Sequence, residues 1–149
     1  MSAAFFVAVD WGTTSFRAYV VNTNGELLDE RSTGEGITSV PPGGFAECLA
    51  RNLAALGASA LPVLASGMVG SRNGWREVPY IACPAGLDSL AAGMAVWEEG
   101  GGKRAIVPGL SCRHEAGFDV MRGEEVQVFG ALESVSVAPD YWVLPGTHS

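Results

Sequence analysis

The sequence has little positive charge, little histidine and no closely spaced cysteines. It holds 9 Lys and Arg residues against 16 Asp and Glu residues, for a net charge of −7, and the basic residues form no cluster. Proteins that bind a nucleic acid or an anionic membrane normally carry such a cluster, so neither is expected as a partner. The 2 histidines and 3 cysteines show no CxxC spacing, which argues against a structural zinc site and a disulfide framework.

Long apolar runs are also missing. The N-terminal run of residues 3–9 is short, has no basic residue before it and ends at Asp10. It therefore predicts a strand and not a signal peptide. No stretch approaches the roughly 18 apolar residues that a membrane-spanning helix needs. We expect a cytoplasmic protein in which Cys48, Cys83 and Cys112 are reduced, partly buried thiols.

The chain has instead the composition of a globular α/β domain, with 48% apolar and 17% charged residues over 149 positions. Periodicity and turn signals predict strands 5–9, 16–21 and 27–32, helix 45–56, strand 61–65, helix 87–98, strand 104–107, helix 122–135 and strand 141–144. Segments 67–84 and 108–120 are predicted to be irregular. This order predicts a mixed five-stranded sheet with helices on its faces, as in a ribonuclease-H-like half-domain.

The first motif follows the first predicted strand. Asp10 ends the strand, and a turn of small and hydroxyl residues follows it, made of Gly12, Thr13, Thr14 and Ser15. Such a turn presents backbone N–H groups and hydroxyls to phosphate oxygens, and Asp10 is suited to hold Mg²⁺. The pattern Asp-x-Gly-Thr-Thr resembles the first phosphate motif of the superfamily that contains sugar kinases, actin and the heat-shock ATPases.

The second motif lies in segment 67–84, at the carboxyl end of a predicted strand, where ligands bind in α/β sheets. Arg72 is suited to grip a carboxylate in a bidentate manner, and Trp75 and Tyr80 are suited to wall a pocket. The polar groups suited to sugar hydroxyls are Ser71, Asn73 and Glu77. The run Gly-Met-Val-Gly-Ser-Arg-x-Gly-Trp-x-Glu-Val-Pro-Tyr strongly resembles the signature loop of the 2-dehydro-3-deoxygalactonokinase family.

The third motif, Asp-x-Met-Arg-Gly-Glu-Glu at residues 119–125, resembles another segment of that family. In related sugar kinases a carboxylate at the start of this helix is the general base. Alignment on Gly130 favours Glu124 with a one-residue slip, so Asp119 stays open as an alternative and Glu125 competes as well. The resemblance implies that Arg122 and Glu125 contact the sugar acid, together with Ser71, Arg72, Trp75, Glu77 and Tyr80.

The resemblance covers essentially all 149 residues, which is about half of a typical family chain. It implies ATP-dependent phosphorylation of 2-dehydro-3-deoxy-D-galactonate at its terminal (6-) hydroxyl in galactonate catabolism, with ATP and Mg²⁺ as cofactors. Residues 144–149 resemble the family's second phosphate motif, which implies that Gly146 and Thr147 bind phosphate. We expect a sugar-binding lobe over residues 1–138 and the start of a missing nucleotide-binding lobe over residues 139–149.

Two consequences and three alternatives accompany this interpretation. The chain alone is expected to be inactive, and it is expected to expose an apolar face that favours self-association. The alternatives are a kinase for another sugar acid, a non-catalytic sugar-binding module, and a ribonuclease-H-like metal-dependent nuclease. The nuclease would use Asp10, Asp119 and Glu124 as metal ligands.

Overall fold

The structure is a computed structural model that describes residues 3–146. Within these residues it contains nine strands, three α-helices and two short 3₁₀ turns. The strands are β1 (Ala4–Trp11), β2 (Phe16–Asn22), β3 (Leu27–Thr33), β4 (Val63–Ser66), β5 (Ile81–Ala82), β6 (Ala95–Glu99), β7 (Gly102–Ile106), β8 (Leu110–His114) and β9 (Gly117–Met121). The helices are α1 (Phe45–Ala55), α2 (Leu87–Gly93) and α3 (Glu124–Leu132).

A mixed six-stranded sheet forms the centre of the molecule, with strand order β3-β2-β1-β4-β7-β6. The antiparallel β1–β2–β3 meander confirms the first three predicted strands. The turn between β2 and β3 is stabilised by nearby residues, because the Asn22 side-chain oxygen accepts the backbone N–H groups of Asn24 and Glu26 at 2.9 Å. Gly25 completes this turn with a φ of 81°, in the region that favours glycine.

Strands β1, β4 and β7 run parallel to one another, and this pairing places the site. Helix α1 supplies Phe45, Leu49 and Leu53 to the main apolar core, which lies against one face of the sheet. In the register of the parallel pair, Asp10 lies beside Ser66. The carboxyl ends of β1 and β4 therefore bring the Asp10 turn and the segment after Ser66 to the same edge of the sheet.

The predicted helix 87–98 is wrong in its second half. Helix α2 ends at Gly93, and β6 then pairs antiparallel with β7. The glycines that we interpreted as a helix stop form the connecting turn, with φ values of 61° at Gly100 and 78° at Gly101. Because Trp97 packs against the main core, the segment adopts an alternating strand pattern. The sheet consequently has six strands and not five.

The prediction that segment 108–120 is irregular is also wrong. Strands β8 and β9 form a hairpin in this segment, and β5 adds to it to give a separate three-stranded sheet. Helix α3 is shorter at both ends than the predicted helix 122–135, and residues 141–144, all of which the structure describes, form no strand. No helix within residues 3–146 is long and apolar enough to cross a membrane.

Candidate active site

The Asp10 turn lies at one edge of the central sheet and is closed by its own backbone. The Gly12 N–H donates to the Ser15 carbonyl at 2.9 Å, which folds the turn back on itself. The Asp10 carboxylate accepts a bond from the Arg17 guanidinium at 3.3 Å, and both side chains are partly exposed. The backbone thus fixes the shape of the turn. The Asp10 carboxylate is paired with Arg17, whose side chain is partly exposed to solvent.

A second segment supports this turn from behind. The N–H groups of Ile37 and Thr38 donate to the carbonyls of Gly12 and Thr13 at 3.0 and 3.2 Å. The approach is so close that a Cβ on Gly36 would lie 2.3 Å from the Thr13 carbonyl oxygen. Any side chain at position 36 would therefore displace the turn, which gives this glycine a structural role beside the site that we missed in the sequence.

Glu35 anchors this supporting segment to the core. Its carbonyl accepts the indole N–H of Trp11 at 2.8 Å, and its carboxylate accepts bonds from Asn52 at 2.9 Å and from Arg51. The bond from Asn52, followed by that from Arg51, lowers the pKa of Glu35 to about 2. The carboxylate therefore remains charged and keeps the segment attached to α1 at neutral pH.

The start of α3 meets the same edge of the sheet. A Cβ on Gly123 would lie 3.1 Å from the Cα of Gly67, and a Cβ on Gly67 would lie 2.8 Å from the Trp11 carbonyl oxygen. Both glycines have positive φ values, 114° and 94° respectively. Three backbone segments distant in the sequence can approach this closely only because two of them carry glycine here.

A cavity of about 120 Å³ lies where the three segments meet. Its lining brings together Asp10, Gly12, Thr13, Gly67, Met68, Arg122, Gly123, Glu124, Gln127, Leu144 and Gly146. Of the predicted phosphate-binding residues, Thr14 and Ser15 do not line it, and Thr147 lies outside the described residues. A neighbouring cavity of about 320 Å³ shares Asp10, Gly123 and Gln127 with it.

Two of the three candidates for the general base, Glu124 and Asp119, lie in different places. Glu124 is half-buried at the start of α3, accepts the Arg122 backbone N–H at 3.0 Å, and lines the smaller cavity with Asp10. Asp119 is exposed on β9, opposite Cys112, and accepts the Val120 N–H at 2.9 Å. Asp119 lines neither cavity. The geometry brings Glu124, and not Asp119, to the Asp10 turn.

Glu125 points into the protein. Its side chain is 1% exposed, and both carboxylate oxygens accept the Gly123 N–H, at 3.0 and 2.8 Å. Burial raises the pKa of Glu125 to about 7 from an ordinary 4.5, despite these hydrogen bonds. Glu125 thus bonds the residue that precedes α3 and holds Gly123 in place. Gly123 lines the cavity, whereas Glu125 does not.

Because Glu125 is buried, we expect the free energy of unfolding of the chain to depend on pH. Between pH 4.5 and about 7 the folded chain keeps the Glu125 proton that the unfolded chain has released, so stability falls as pH rises through this window. We expect Glu125→Gln to remove this loss, which is on the order of 2 kcal/mol. Urea unfolding at about pH 5 and about pH 8 measures it. Glu133→Gln, at the exposed end of the same helix, is the control, and equal pH slopes for wild type and Glu125→Gln would contradict the assignment.

Arg122 joins α3 to the second motif. Its side chain is 8% exposed, its Nη2 donates to the Val78 carbonyl at 2.9 Å, and its guanidinium lies 4.2 Å from the centre of the Tyr80 ring. Its Nε and Nη1 are buried and have no hydrogen-bond partner among the described residues. Arg122 thus fixes the second motif to the segment that carries Glu124.

Trp75 and Ser71 also hold the second motif in place. Trp75 packs in an aromatic cluster, with ring centroids 5.1 Å from Trp97 and 6.3 Å from both Trp11 and Phe45. The Ser71 hydroxyl donates to the Met68 carbonyl at 2.6 Å. Both side chains are therefore occupied with protein contacts, in the positions we predicted to be substrate-binding.

The remaining predicted sugar-acid contacts face solvent. Arg72 and Glu77 are exposed and form no ion pair or side-chain hydrogen bond with the described residues. Tyr80 is 41% exposed although one face of its ring lies against Arg122. The second motif thus presents a free cation and a partly exposed aromatic ring on a rigidly anchored backbone.

Sequence reasoning missed several site residues. Gly36, Gly67 and Met68 build or line the site, and Gln127 lines both cavities. Gly36 belongs to the pattern Gly-x-Gly shortly after the third predicted strand, and Gln127 lies one helical turn after Glu124. The three-residue spacing between Glu124 and Gln127 could have predicted that Gln127 belongs to the site, because residues three apart lie on one helix face.

Comparison with known proteins agrees with these motifs. The family model for 2-keto-3-deoxy-galactonokinase matches residues 10–149. A Rhizobium meliloti (strain 1021) protein, named as a probable 2-dehydro-3-deoxygalactonokinase, is 40% identical over 149 residues, which cover 99% of this chain and 49% of the relative. The Escherichia coli (strain K12) 2-dehydro-3-deoxygalactonokinase is 34% identical over 151 residues, covering 97% and 48%.

A solved structure supports the same grouping. The crystal structure of a Sinorhizobium meliloti protein assigned as a 2-dehydro-3-deoxygalactonokinase matches with a TM-score of 0.80 and 40% identity, over 89% of this chain and 44% of the other. The chain spans about half the length of the relatives it matches. Since the family model matches nearly all of its residues, the chain belongs to the 2-keto-3-deoxy-galactonokinase family, a family of kinases.

Proposed function

We propose that this chain is the sugar-acid-binding half of an ATP-dependent kinase that phosphorylates 2-dehydro-3-deoxy-D-galactonate at its terminal 6-hydroxyl. The observation that carries the proposal is the cavity of about 120 Å³ at the Asp10 turn. Glu124 and Asp10 line it together, and the anchored loop with the free Arg72 starts at its wall, at Gly67 and Met68. A base, a phosphate-binding turn and an anion-binding loop are the parts that such a transfer needs.

Glu124 acts as the general base in this proposal. The terminal hydroxyl oxygen attacks the γ-phosphorus of ATP, the bond from that phosphorus to the bridging oxygen of ADP breaks, and the hydroxyl proton passes to the Glu124 carboxylate. The Thr13 backbone N–H would bind the phosphate oxygens, because the Gly12 N–H is already bonded to the Ser15 carbonyl. The Arg122 backbone N–H, which donates to Glu124 at 3.0 Å, keeps the carboxylate aimed at the cavity.

The donor set of the cavity fits Mg²⁺. This ion usually binds through one or two carboxylates and substrate phosphates and retains several waters. Asp10 would hold it at the mouth of the turn, where Arg17 now pairs with the carboxylate. Within residues 3–146 no three His, Cys, Asp or Glu side chains gather into a metal-binding group. When bound, Mg²⁺ neutralises charge on the phosphates of ATP.

Arg72 is the proposed carboxylate-binding residue. It is exposed, it forms no ion pair among the described residues, and it extends from a loop that Trp75 and Arg122 hold on two sides. A planar guanidinium binds a carboxylate through two parallel hydrogen bonds, and lysine lacks this geometry. Tyr80 and Glu77, on the same loop, would contact the carbon chain and a hydroxyl of the sugar acid.

The other lobe of the kinase is proposed to pack against the later part of this chain. Residues 1–138 would form a ribonuclease-H-like lobe, and residues 139–149 would lead into the nucleotide-binding lobe. Large apolar side chains are exposed from β9 onward, at Phe118, Val120, Met121, Val126, Val135, Val137, Tyr141 and Val143. Such a surface is typical of an interface. On this proposal the 149 residues alone produce no phosphorylated sugar acid.

The alternative functions fit the site less well. A nuclease would need Asp119 beside Asp10 and Glu124, whereas Asp119 is exposed and does not line the cavity. A sugar-binding module without catalysis would bind the sugar acid with no effect of nucleotide. A kinase for another sugar acid would use the same parts, and competition between stereoisomers for binding would distinguish it.

Calorimetric titration of the chain with 2-dehydro-3-deoxygalactonate tests the substrate assignment. We expect binding that Arg72→Ala weakens by about tenfold or more, because a charged hydrogen bond contributes about 1.5–3 kcal/mol. Arg113→Ala, which removes another exposed arginine on β8, is the matched control and should bind like the wild type. Equal affinity of Arg72→Ala and wild type would contradict the role of Arg72. A folded wild-type chain that does not bind, alone or within a two-lobe kinase, would contradict the substrate.

A further inference from the structure

Two exposed cysteines lie side by side in the second sheet. Strand β5 pairs parallel with β8 in the register Ile81 to Leu110 and Ala82 to Ser111. The pairing continues past the end of β5, because the Cys83 N–H donates to the Ser111 carbonyl at 2.8 Å. In this register the neighbour of Cys83 is Cys112. Both cysteines are free and exposed, whereas Cys48 is buried.

The two thiols lie on the same face of the sheet. Ile81 and Leu110, which precede Cys83 and Cys112 by two residues each, pack in one apolar cluster. Side-chain direction repeats every two residues along a strand, so the cysteines share the face of these two residues. Solvent reaches this face at the two cysteines, because both of them are exposed.

Strand spacing brings the pair within disulfide range. Adjacent strands lie about 4.8 Å apart, and disulfides join residues whose Cα atoms are about 4.4–6.8 Å apart. Because the Cys83 N–H continues the ladder to the Ser111 carbonyl, this strand spacing applies to Cys83 and Cys112 as well. We propose that Cys83 and Cys112 form a dithiol that low-molecular-weight disulfides such as glutathione disulfide oxidise to an intramolecular disulfide.

The reaction is a two-step thiol–disulfide exchange. The thiolate of one cysteine attacks a sulfur of glutathione disulfide, forms a mixed disulfide and releases one glutathione thiolate. The second cysteine, as its thiolate, attacks the protein sulfur of the mixed disulfide and releases the second glutathione. The protein loses two electrons and two protons, and the oxidant becomes two glutathione molecules. Neighbouring thiols favour the second step because it is intramolecular.

The disulfide would fasten the small sheet beside the second motif. Only two register pairs join β5 to β8, and β5 directly follows Tyr80. Strand β9, the partner of β8, leads into Arg122. Closing the chain between residues 83 and 112 therefore ties together the two segments that carry the anchored loop and the start of α3. This inference concerns the fold of the chain and does not depend on the proposed kinase activity.

Tryptic peptide mapping of the oxidised chain tests the pair directly. The three cysteines fall on separate peptides, residues 32–51, 77–103 and 105–113. After incubation of the dilute chain with glutathione disulfide, blocking of free thiols and digestion without reductant, we expect peptides 77–103 and 105–113 to be joined. Their combined mass should be lower by two hydrogen atoms, and the melting temperature of the oxidised chain should rise.

Variants separate this outcome from others. Cys48→Ser should still form the link, whereas Cys83→Ser and Cys112→Ser should each leave one mixed disulfide with glutathione and no rise in melting temperature. The inference is overturned if the wild type carries glutathione on Cys83 and Cys112 separately without linking them. It is equally overturned if the link joins two chains, which a non-reducing gel of the dilute sample reveals.

Discussion

In a two-lobe kinase that carries these residues, Glu124→Gln should lower kcat by about 10²–10⁴-fold with little change in KM for the sugar acid. An amide keeps the size and the hydrogen bond to the Arg122 N–H but cannot accept the proton of the attacking hydroxyl. The effect should appear in the chemical step and not in binding. Steady-state and single-turnover kinetics with ATP and 2-dehydro-3-deoxygalactonate measure it.

Asp119→Asn is the matched control, because it is the same kind of change five residues upstream, on the exposed strand β9. We expect its kcat to stay close to that of the wild type. If Asp119→Asn loses the activity and Glu124→Gln retains it, the base is on β9 and the cavity assignment is wrong. Calorimetry on both variants should give the wild-type affinity for the sugar acid, which separates loss of chemistry from loss of the site.

The second large effect is expected on stability. Trp75→Ala should lower the free energy of unfolding by about 3 kcal/mol or more, because it removes a large aromatic side chain from a packed cluster and leaves a cavity. Its ring lies 5.1 Å from Trp97 and stacks at 10° to Phe45. Urea unfolding measures the loss. The loop should also lose its anchor, so sugar-acid binding should weaken even where the variant is folded.

Phe118→Ala is the control for this substitution, because Phe118 is an aromatic residue with 64% exposure on β9. In the 149-residue chain alone, where Phe118 is exposed, the free energy of unfolding should change by no more than about 0.5 kcal/mol. If Trp75→Ala is as stable as the wild type and loses only affinity for the sugar acid, Trp75 is a wall of the substrate pocket, as the sequence first indicated. The stability measurement therefore decides between the two roles of this residue.

The predicted site residues thus fall into two groups that the sequence does not separate. Arg72, Glu77 and Tyr80 present exposed groups on the loop, whereas Ser71, Trp75 and Glu125 are turned toward the protein. All six lie in motifs that resemble the family. A sequence motif shows which residue types occur together. Only the contacts in the structure show whether a residue is placed to bind the ligand or to hold the backbone of the loop.

Local signals in the sequence were sufficient for the first part of the fold. The β1–β2–β3 meander follows from alternating apolar residues and from the Asn24-Gly25 turn, whose hydrogen bonds lie within five residues. The Asp10 turn and helix α1 are similarly local. The family could be identified as well, because the Gly67–Tyr80 motif is contiguous and its residue types do not depend on how the loop is packed.

What only the tertiary structure decided involves contacts between distant segments. Residues 95–99 form a strand because Trp97 packs beside Trp75, and not because their own sequence disfavours a helix. Glu124 is separated from Asp119 because the approach of Gly123 to Gly67 brings only the start of α3 to the Asp10 turn. The sequence by itself determined which chemical groups are available and which family they indicate. Their assembly into one cavity depends on close backbone approaches between residues far apart in the chain, and such packing leaves no periodic pattern in the sequence.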